Sequence, residues 1–319
     1  MMVVRVLILG LGSIGRRHAT LLRRHFSHEV ELASMRTHLG RDSNDLGIPE
    51  ISGWDEISAQ RFDVALIANP TNMHIDTAIR CAERGLHLFI EKPIDCRLDG
   101  LDHLLSIVAE RRLTAYVAYP MRFHPVVREL KSRLVGRRIL HANMVCASFL
   151  PDWRPNQDHL KGYSASWARG GGVFLDMSHE LDIAEYLFGP VTGIQGSLGR
   201  VGGVTVDSDD WADVLVSHQW GTTNIHLNSV SEVPRRSVEI DLAHGHLHGD
   251  LRRQTVTDWE EGRMSEAAFS TDGDWMYVEQ LRYFLENLGR YDFENSLVRA
   301  SGLYKKMIDF REARVTWTR

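Results

Sequence analysis

Residues 3–15 read VVRVLILGLGSIG, an apolar run that ends in three glycines spaced as GxGxxG. The apolar part predicts a buried strand, and the helical spacing of Ile14–Arg24 predicts a helix directly after it. In that context Gly10 permits a tight turn, Gly12 lets a pyrophosphate approach the backbone, and Gly15 lets the helix pack on the strand. The stretch therefore predicts the first βα unit of a dinucleotide-binding domain, with the N-terminus of the helix at the phosphates.

Strand and helix signals alternate through the first part of the chain. After the opening unit, short β-prone apolar runs are separated by helical stretches such as Ile75–Arg84 and Leu98–Arg111. This alternation predicts parallel βαβ units with helices on both faces of the sheet. We therefore predict an α/β Rossmann domain, with a doubly wound parallel sheet, over residues 1–120. The runs that predict its further strands are Val30–Met35, Val64–Ala68, Leu86–Ile90 and Thr114–Tyr119.

The pattern changes in the second part of the chain. A strand-like run at Ile139–Phe149 is followed by a loop, a single helical stretch at Val173–Leu187 and several short alternating segments. Two more helical stretches, Met276–Leu288 and Ser296–Arg311, close the chain. Segments that alternate apolar and polar side chains are typical of antiparallel sheets with one uncovered face. Residues 121–319 are therefore predicted to form an α+β domain with a large, mostly antiparallel open sheet.

The composition is that of an ordinary globular protein, with 43% apolar and 25% charged residues in 319. That length fits two domains. The formal net charge of −5 gives no reason to expect nucleic acid or an anionic membrane as a partner, and no apolar run approaches the roughly 20 residues that span a bilayer. The start lacks the features of a signal peptide and the cysteines form no close pair, which favours the cytoplasm. The three cysteines are Cys81, Cys96 and Cys146.

The end of the second predicted strand bears on the choice of cofactor. A site selective for NAD usually has Asp or Glu there, bound to the ribose hydroxyls. In this chain the position falls on Arg36, beside Ser34 and Thr37. A guanidinium suits the 2′-phosphate of NADP, although the same group could also stack on an adenine. The sequence thus favours NADP and leaves NAD open. The basic cluster Arg16–His18 is expected on the solvent face of the first helix.

Five short motifs follow one another from residue 5 to about residue 190. They are GLGSIGRRHATLL at 10–22, NPT at 69–71 with His74 after it, EKP at 91–93, RFHP at 122–125 and GGGVFLDMSHELDIAEYLFG at 170–189. Their order and spacing resemble those of the glucose–fructose oxidoreductase / inositol dehydrogenase (Gfo/Idh/MocA) family. As a set they are far more specific than the glycine loop alone.

The resemblance implies an NAD(P)-dependent oxidoreductase that moves a hydride between the nicotinamide and a secondary hydroxyl or keto group of a sugar or sugar derivative. In the family the EKP lysine, here Lys92, lies beside the nicotinamide and the substrate hydroxyl as acid/base. Glu91 is expected to orient the lysine and the cofactor, and Pro93 to fix the turn as a cis peptide. The expected cofactor contacts are Gly10, Gly12, Ser13, Ile14, Gly15, Arg36, Asn69, Pro70, Thr71, His74, Glu91 and Lys92.

The resemblance also implies that Asp176 and His179 take part in the chemistry. Three residues apart on one helix, they would share a face about a turn apart. Their neighbours are apolar, so these polar groups need partners, for which a substrate polyol is suited. His179 is expected to carry a proton with Lys92, and Asp176 to orient or support it. Many family members space the two residues four apart, so the match supports His179 better than Asp176.

Substrate contacts are expected from the loops that follow the last Rossmann strand. Aromatic faces with hydrogen-bonding and cationic groups suit a sugar, and an arginine in such a loop suits the phosphate or carboxylate of an activated or acidic sugar. The expected substrate contacts are Tyr119, Arg122, Arg154, Tyr163, Asp176 and His179. Three histidines alternate at His244, His246 and His248, but glycines interrupt the strand and no cysteine completes a ligand set. No metal site is expected.

Two other functions remain open at this point. One is a redox-neutral enzyme that recycles its cofactor, and the other is an NAD(P)-binding sensor or regulator without catalysis. The presence of Lys92 and His179 favours an enzyme. The resemblance further implies a homodimer or homotetramer formed through the C-terminal sheet, with a small sugar-like molecule as the other partner.

Overall fold

The computed structural model describes residues 3–36, 44–58, 60–153, 158–202, 204 and 206–314, and it divides into two compact units. The first unit consists of residues 1–120 and 276–302, and the second of residues 121–275 and 303–319. The chain therefore passes from the first unit to the second at the position where the sequence pattern changes. The observed division differs from the predicted one near the C-terminal end of the chain, where residues 276–302 belong to the first unit.

The first unit contains a five-stranded parallel sheet. Its strand order is β2-β1-β3-β4-β5. The sheet confirms the predicted doubly wound α/β fold, in which the chain moves to opposite sides of β1 and so creates a switch point at its carboxyl end. The strands are β1 Val4–Leu9, β2 Val30–Met35, β3 Val64–Ile67, β4 His87–Glu91 and β5 Ala115–Ala118.

A short extended segment adds a rudimentary strand at the free edge of β2. Ser34 and Glu50 form an isolated parallel bridge there. The Ser34 N–H donates to the Pro49 carbonyl at 2.8 Å, and the Ile51 N–H donates to the Ser34 carbonyl at 2.9 Å. With this segment counted, the order becomes that of a six-stranded Rossmann sheet. The segment fixes Glu50 beside the last residues of β2.

Helices connect the strands of the first unit. They are α1 Ser13–His25, α2 His74–Ala82 and α3 Leu101–Glu110. The buried residues of α1 include Gly15, Ala19 and Leu22, which face the strand side of the helix. This spacing of three and four residues is the amphipathic pattern that the sequence showed. The predicted parallel sheet with connecting helices is therefore confirmed for this unit.

The second unit contains an eight-stranded sheet in the order β13-β12-β11-β10-β6-β9-β8-β7. All neighbouring strands are antiparallel except β6 and β9, which confirms the predicted mostly antiparallel sheet. The strands are β6 Ile139–Phe149, β7 Gly193–Gly199, β8 Trp211–Ser217, β9 Thr222–Asn228, β10 Val230–Leu242, β11 Gly245–Asp250, β12 Thr255–Glu260 and β13 Arg263–Ala268.

Three helices lie along this sheet: α4 Pro125–Arg133 contacts β11, α5 Val173–Asp176 contacts β8, and α6 His179–Phe188 contacts β9. The sequence predicted one helix where α5 and α6 lie. Around Met177 the backbone tightens, since the Ser178 N–H donates to the Leu175 carbonyl and the Glu180 N–H to the Met177 carbonyl, each three residues back. Bonds of this shorter period interrupt the helix, so the prediction of one continuous helix is wrong: α5 ends at Asp176 and α6 begins at His179.

Two helices close the chain, α7 Trp275–Glu286 and α8 Leu297–Glu312, close to their predicted bounds. Leu281 and Phe284 of α7 join the buried core of the first unit. The Phe284 ring meets Phe89 of β4 edge to face, with 5.3 Å between the ring centres. An amphipathic pattern shows that a helix buries one face but not which core it covers, and here α7 packs on the core of the first unit. No helix within the described ranges is long and apolar enough to span a bilayer.

Candidate active site

The glycine loop joins β1 to α1 at the switch point of the parallel sheet. Gly10 has φ = +101°, and a Cβ there would stand 2.7 Å from the Ala68 carbonyl oxygen and from the Asn69 nitrogen. A Cβ on Gly15 would overlap the Gly10 carbonyl oxygen. These two glycines are therefore required by the backbone itself. They hold the end of β1, the start of α1 and the end of β3 in close contact.

Gly12 differs from its two neighbours in the motif. A Cβ at Gly12 would have no atom of the described residues within 4 Å, and its φ of −70° suits any residue. The first turn of α1, which begins with Ser13 and Ile14, has no acidic residue, and Gly12 contributes no side-chain cap. An open space before an uncapped, uncharged helix N-terminus fits the pyrophosphate of a dinucleotide. The residues present therefore fit the cofactor that the motif predicts.

Arg36 follows β2, and its guanidinium is already paired. Arg36 Nε lies 2.9 Å from Glu50 Oε1, and Nη2 donates to Oε2 at 3.1 Å. Burial alone would raise the pKa of the Glu50 carboxyl, but the hydrogen bonds from Arg36 and Asn44 outweigh it and leave that pKa below its ordinary value. Glu50 is thus an ionised partner of Arg36 that the sequence did not predict. Thr37, which follows Arg36 in the sequence, lies outside the described residues.

Asn69, Pro70 and Thr71 follow β3, as predicted, and lie next to the glycine loop. Asn69 Nδ2 donates to Thr77 Oγ1 at 2.8 Å, whereas its Oδ1 is buried without a donor among the described residues. A buried acceptor of this kind suits a polar group of a bound cofactor. His74 is buried, and its ring nitrogens lie 2.9 Å from the carbonyl oxygens of Asn69 and Pro93. His74 therefore braces two turns of the site.

The motif Glu91-Lys92-Pro93 lies where β4 ends, at the same sheet edge as the glycine loop. The Lys92–Pro93 peptide is cis. The Glu91 carboxyl is buried, and its Oε2 accepts from the Lys92 backbone N–H at 3.2 Å. Its Oε1 lies 2.6 Å from His18 Nε2. The carboxylate thus ties the backbone of Lys92 to α1.

His18 was expected on the solvent face of α1, and that expectation is wrong. Its ring is fully buried, meeting Phe89 and Tyr277 edge to face. The two arginines before it are less buried than His18. Arg16 Nε donates to the Leu11 carbonyl, and the Arg17 guanidinium lies over the Tyr277 ring. The run of basic letters suggested one exposed face. The carboxylate 73 positions away that makes burial of a histidine possible could not be seen from local sequence.

Asp176 and His179 lie in the second unit, on either side of the break between α5 and α6. Asp176 is buried and His179 half-buried. The backbone that leads to them is held by Asp209, whose carbonyl accepts from the Val173 N–H at 2.9 Å and whose Oδ2 accepts from the Phe174 N–H at 2.7 Å. A Cβ on Gly172 would overlap the Asp209 carboxylate. Burial raises the pKa of the Asp209 carboxyl to about 7.

Arg311 supports the same turn from α8. Its Nη2 donates to the carbonyls of Trp167 at 3.0 Å and Gly171 at 3.1 Å, and its guanidinium stacks on the Trp167 ring. Asp209 and Arg311 are site-supporting residues that the sequence reading missed. The only local signal in the sequence was the glycine run at 170–172. Such a run predicts close backbone packing but does not show which residues the backbone contacts.

The predicted substrate residues have different surroundings. Arg122 donates from Nε and Nη2 to both oxygens of Asp182, at 2.9 and 2.8 Å, so its guanidinium is engaged within the second unit. Tyr163 is half-buried in a 3₁₀ turn whose backbone lies against Gly171. Tyr119 is buried in the first unit just after β5. Arg154 lies outside the described residues.

The uncovered face of the eight-stranded sheet carries pairs of histidine and aspartate. His226 Nδ1 lies 2.6 Å from Asp213, and His246 Nδ1 lies 2.9 Å from Asp241. His246 also packs on the Trp259 ring. Across the described ranges, no group of three or more His, Cys, Asp or Glu side chains is arranged to hold a metal ion.

Two family models match the chain. One, described as the oxidoreductase family with an NAD-binding Rossmann fold, matches residues 4–119, and the other, the GFO/IDH/MocA C-terminal domain, matches residues 127–248. The matches follow the two sheets: the first covers the parallel sheet, and the second begins at α4 and ends within β11.

Individual proteins agree with the family match. The myo-inositol 2-dehydrogenase of Thermotoga maritima is 24% identical over 311 residues, which cover 89% of this chain and 88% of that protein. The solved structure of a UDP-N-acetylglucosamine 3-dehydrogenase from Acidithiobacillus ferrooxidans is 19% identical, with a TM-score of 0.80 and coverage of 98% of both chains. A levoglucosan dehydrogenase in complex with NADH and L-sorbose is 16% identical, with a TM-score of 0.85 and coverage of 98% of this chain and 97% of that chain.

The two family models, taken with the glycine loop and the motif at the end of β4, identify the class of protein. The chain belongs to the GFO/IDH/MocA family and is an oxidoreductase with an NAD-binding Rossmann fold.

Proposed function

We propose that this oxidoreductase transfers a hydride between a nicotinamide cofactor and a secondary hydroxyl or keto group of a sugar or sugar derivative. One observation carries the proposal: the open glycine loop and Lys92 lie at the same edge of one parallel sheet. Ligands of such sheets bind at the carboxyl ends of the strands, near the switch point. The related proteins act on inositol, levoglucosan and UDP-N-acetylglucosamine, all of which carry ring hydroxyls.

When bound, the nicotinamide dinucleotide supplies the hydride acceptor for alcohol oxidation or the donor for the reverse reaction. Lys92 Nζ takes the hydroxyl proton during oxidation and returns it during reduction. Glu91 fixes the lysine backbone through the Lys92 N–H. Gly12 leaves room for the pyrophosphate, with Ser13, Ile14 and Gly15 beginning the helix that faces it.

We propose that the second unit contributes Asp176 and His179 to the reaction. His179 exchanges a proton with the substrate, and the buried Asp176 supports the charge that His179 acquires. Support comes from the braced turn before α5, since a fixed backbone is what a proton-transferring group needs to keep its position. Tyr163 and Arg154 are proposed to contact the sugar, and Arg122 to act through Asp182 as a structural support of α6.

The choice of cofactor depends on Arg36. This residue is the reason for expecting NADP, but a 2′-phosphate there would meet an arginine that is already paired with Glu50.

We further propose that two or four copies of the chain associate through the uncovered face of the eight-stranded sheet. The cytoplasm is the proposed compartment, and the three cysteines, which are buried and form no disulfide, are in keeping with it.

A substrate panel tests the proposal. The purified chain would be incubated with NAD⁺ or NADP⁺ and with myo-inositol, levoglucosan or UDP-N-acetylglucosamine, while absorbance reports reduced cofactor and mass spectrometry reports the keto product. We expect equal amounts of reduced cofactor and keto product for at least one substrate class. Product without net cofactor reduction would instead indicate the redox-neutral reaction. Tight cofactor binding with no product across the panel would favour the sensor.

A further inference from the structure

The end of β2 carries no acid of its own, yet a carboxylate lies there. In chain order, β2 ends at Met35 and is followed by Arg36. The rudimentary strand places Glu50 in register with Ser34, two residues before that arginine. An acid that other Rossmann domains place at the tip of this strand is here supplied by the neighbouring segment.

The Glu50 carboxylate is held firmly. Both of its oxygens contact the Arg36 guanidinium, and Oε1 also accepts from Asn44 Nδ2 at 2.8 Å. Asn44 is itself fixed, because its Nδ2 donates to the Ile48 carbonyl at 2.6 Å and its Oδ1 accepts from the Ile48 N–H at 3.0 Å. Arg36 and Glu50 side chains are each 20% exposed, so solvent screens the pair only in part. The hydrogen bond from Arg36 Nη2 joins two charged groups and is therefore stronger than one between neutral groups.

The second arginine of this region is occupied in the same way. Arg16 on α1 forms an ion pair with Asp45. The pKa of the Asp45 carboxyl is lowered, first by its hydrogen bond from Arg16, so this acid is also ionised at neutral pH. Among the described residues, both arginines near the end of β2, Arg16 and Arg36, are therefore already paired with acids.

A 2′-phosphate and a 2′-hydroxyl respond to this arrangement in opposite ways. A phosphate monoester carries about −1.5 to −2 charges at neutral pH. It must either displace Glu50 from Arg36 or lie beside an ionised carboxylate, and both are unfavourable. A ribose hydroxyl can instead donate a hydrogen bond to a carboxylate.

We infer that Glu50 makes this site select NAD over NADP, with Arg36 serving as the partner that holds the Glu50 carboxylate in place. The inference rests on the proposed dinucleotide site and reverses the preference that Arg36 alone suggested. Replacing the carboxylate by the equally shaped amide frees the positive charge of Arg36. E50Q is therefore a switch toward NADP.

The test is a fluorescence titration of NADH and NADPH on the purified full chain and on three variants. The wild type should bind NADH more tightly than NADPH. E50Q should shift the ratio of the two dissociation constants toward NADPH by about tenfold or more, the effect of one neighbouring charge. The double variant R36A/E50Q should lose that gain. E56Q is the matched control, because Glu56 also pairs with an arginine, Arg61, and should leave the ratio unchanged.

The outcomes separate the inference from the proposed function. If both nucleotides bind but E50Q leaves their ratio unchanged, or if the wild type already prefers NADPH, the role of Glu50 is wrong and the dinucleotide site stands. If circular dichroism shows folded protein and neither nucleotide binds, the dinucleotide site fails, and this inference fails with it.

Discussion

At the residue scale, the charged groups of the site are held by buried partners. His18 lies between the rings of Phe89 and Tyr277, and its Nε2 meets the Glu91 carboxylate 2.6 Å away. Glu91 in turn accepts the Lys92 N–H. A buried carboxylate that loses its partner keeps the cost of desolvation without the compensating bond. His18 therefore acts on Lys92 through Glu91 and is a positioning residue.

His18→Leu tests this arrangement. We expect the variant to lose about 2–4 kcal/mol of stability, because it leaves Glu91 buried without its partner, and to lower kcat as well. His18→Gln keeps an N–H that can reach the carboxylate, so it should recover much of both losses. Thermal unfolding and steady-state kinetics measure the two effects.

The matched control lies at the other end of the same strand. His87 accepts a hydrogen bond from the Thr114 N–H at 2.9 Å, far from the motif at the carboxyl end of β4. His87→Leu should lower the melting temperature and leave kcat within about twofold. Equal loss of kcat in both leucine variants would show that His18 has a merely structural role.

At the element scale, the three glycines of the loop have separate tasks. Gly15→Ala should destabilise the fold by about 1–3 kcal/mol, since its Cβ would overlap the Gly10 carbonyl. Gly12→Ala should keep the wild-type melting temperature and weaken NADH binding about tenfold or more, because its Cβ would enter the space left for the pyrophosphate. Gly53→Ala, at another open position, should change neither. Unchanged NADH affinity in Gly12→Ala would count against the loop as the phosphate site.

The turn before α5 predicts a pH dependence. The pKa of the Asp209 carboxyl is about 7 in the folded chain and about 3.8 without burial, so the folded state binds a proton that the unfolded state releases between these values. The stabilisation from the protonated form is complete below about pH 4 and is lost as the pH rises to about 7. It amounts to at most about 4 kcal/mol.

Asp209→Asn removes this titration and keeps the side-chain shape. The melting temperature of the wild type relative to Asp209→Asn should fall between about pH 4 and about pH 7, as measured by differential scanning fluorimetry. A difference that stays constant over this range would show that Asp209 does not titrate in the folded chain.

The same elements show what the sequence could and could not predict. The strands β1 and β2 and the glycine loop were evident, because local periodicity and turn glycines determine them. The break at Met177 was not, because no glycine or proline marks it within residues 173–188. Glu50, His18 and Arg311 were missed because each acts through a partner distant in sequence.

At the scale of the whole molecule, the proposed association uses the more exposed face of the eight-stranded sheet. Along β8, buried Ala212, Val214 and Val216 alternate with the more exposed Asp213 and Leu215. Leu215→Arg places a charge on the uncovered face and should convert the expected dimer or tetramer into monomer in light scattering after size exclusion. Leu160→Arg, outside the sheet, should keep the wild-type mass. A monomeric wild type would contradict association through this face.

The central claim is that Lys92 transfers the proton in a reaction that reduces or oxidises a bound nicotinamide. The most direct measurement compares turnover and NADH affinity in the wild type, Lys92→Met and the control Lys305→Met, using the substrate that the panel identifies. Lys92→Met should lose about 10²–10⁴-fold in kcat and bind NADH within about threefold of the wild type, and Lys305→Met should match the wild type in both. Turnover by Lys92→Met within tenfold of the wild type would contradict the account.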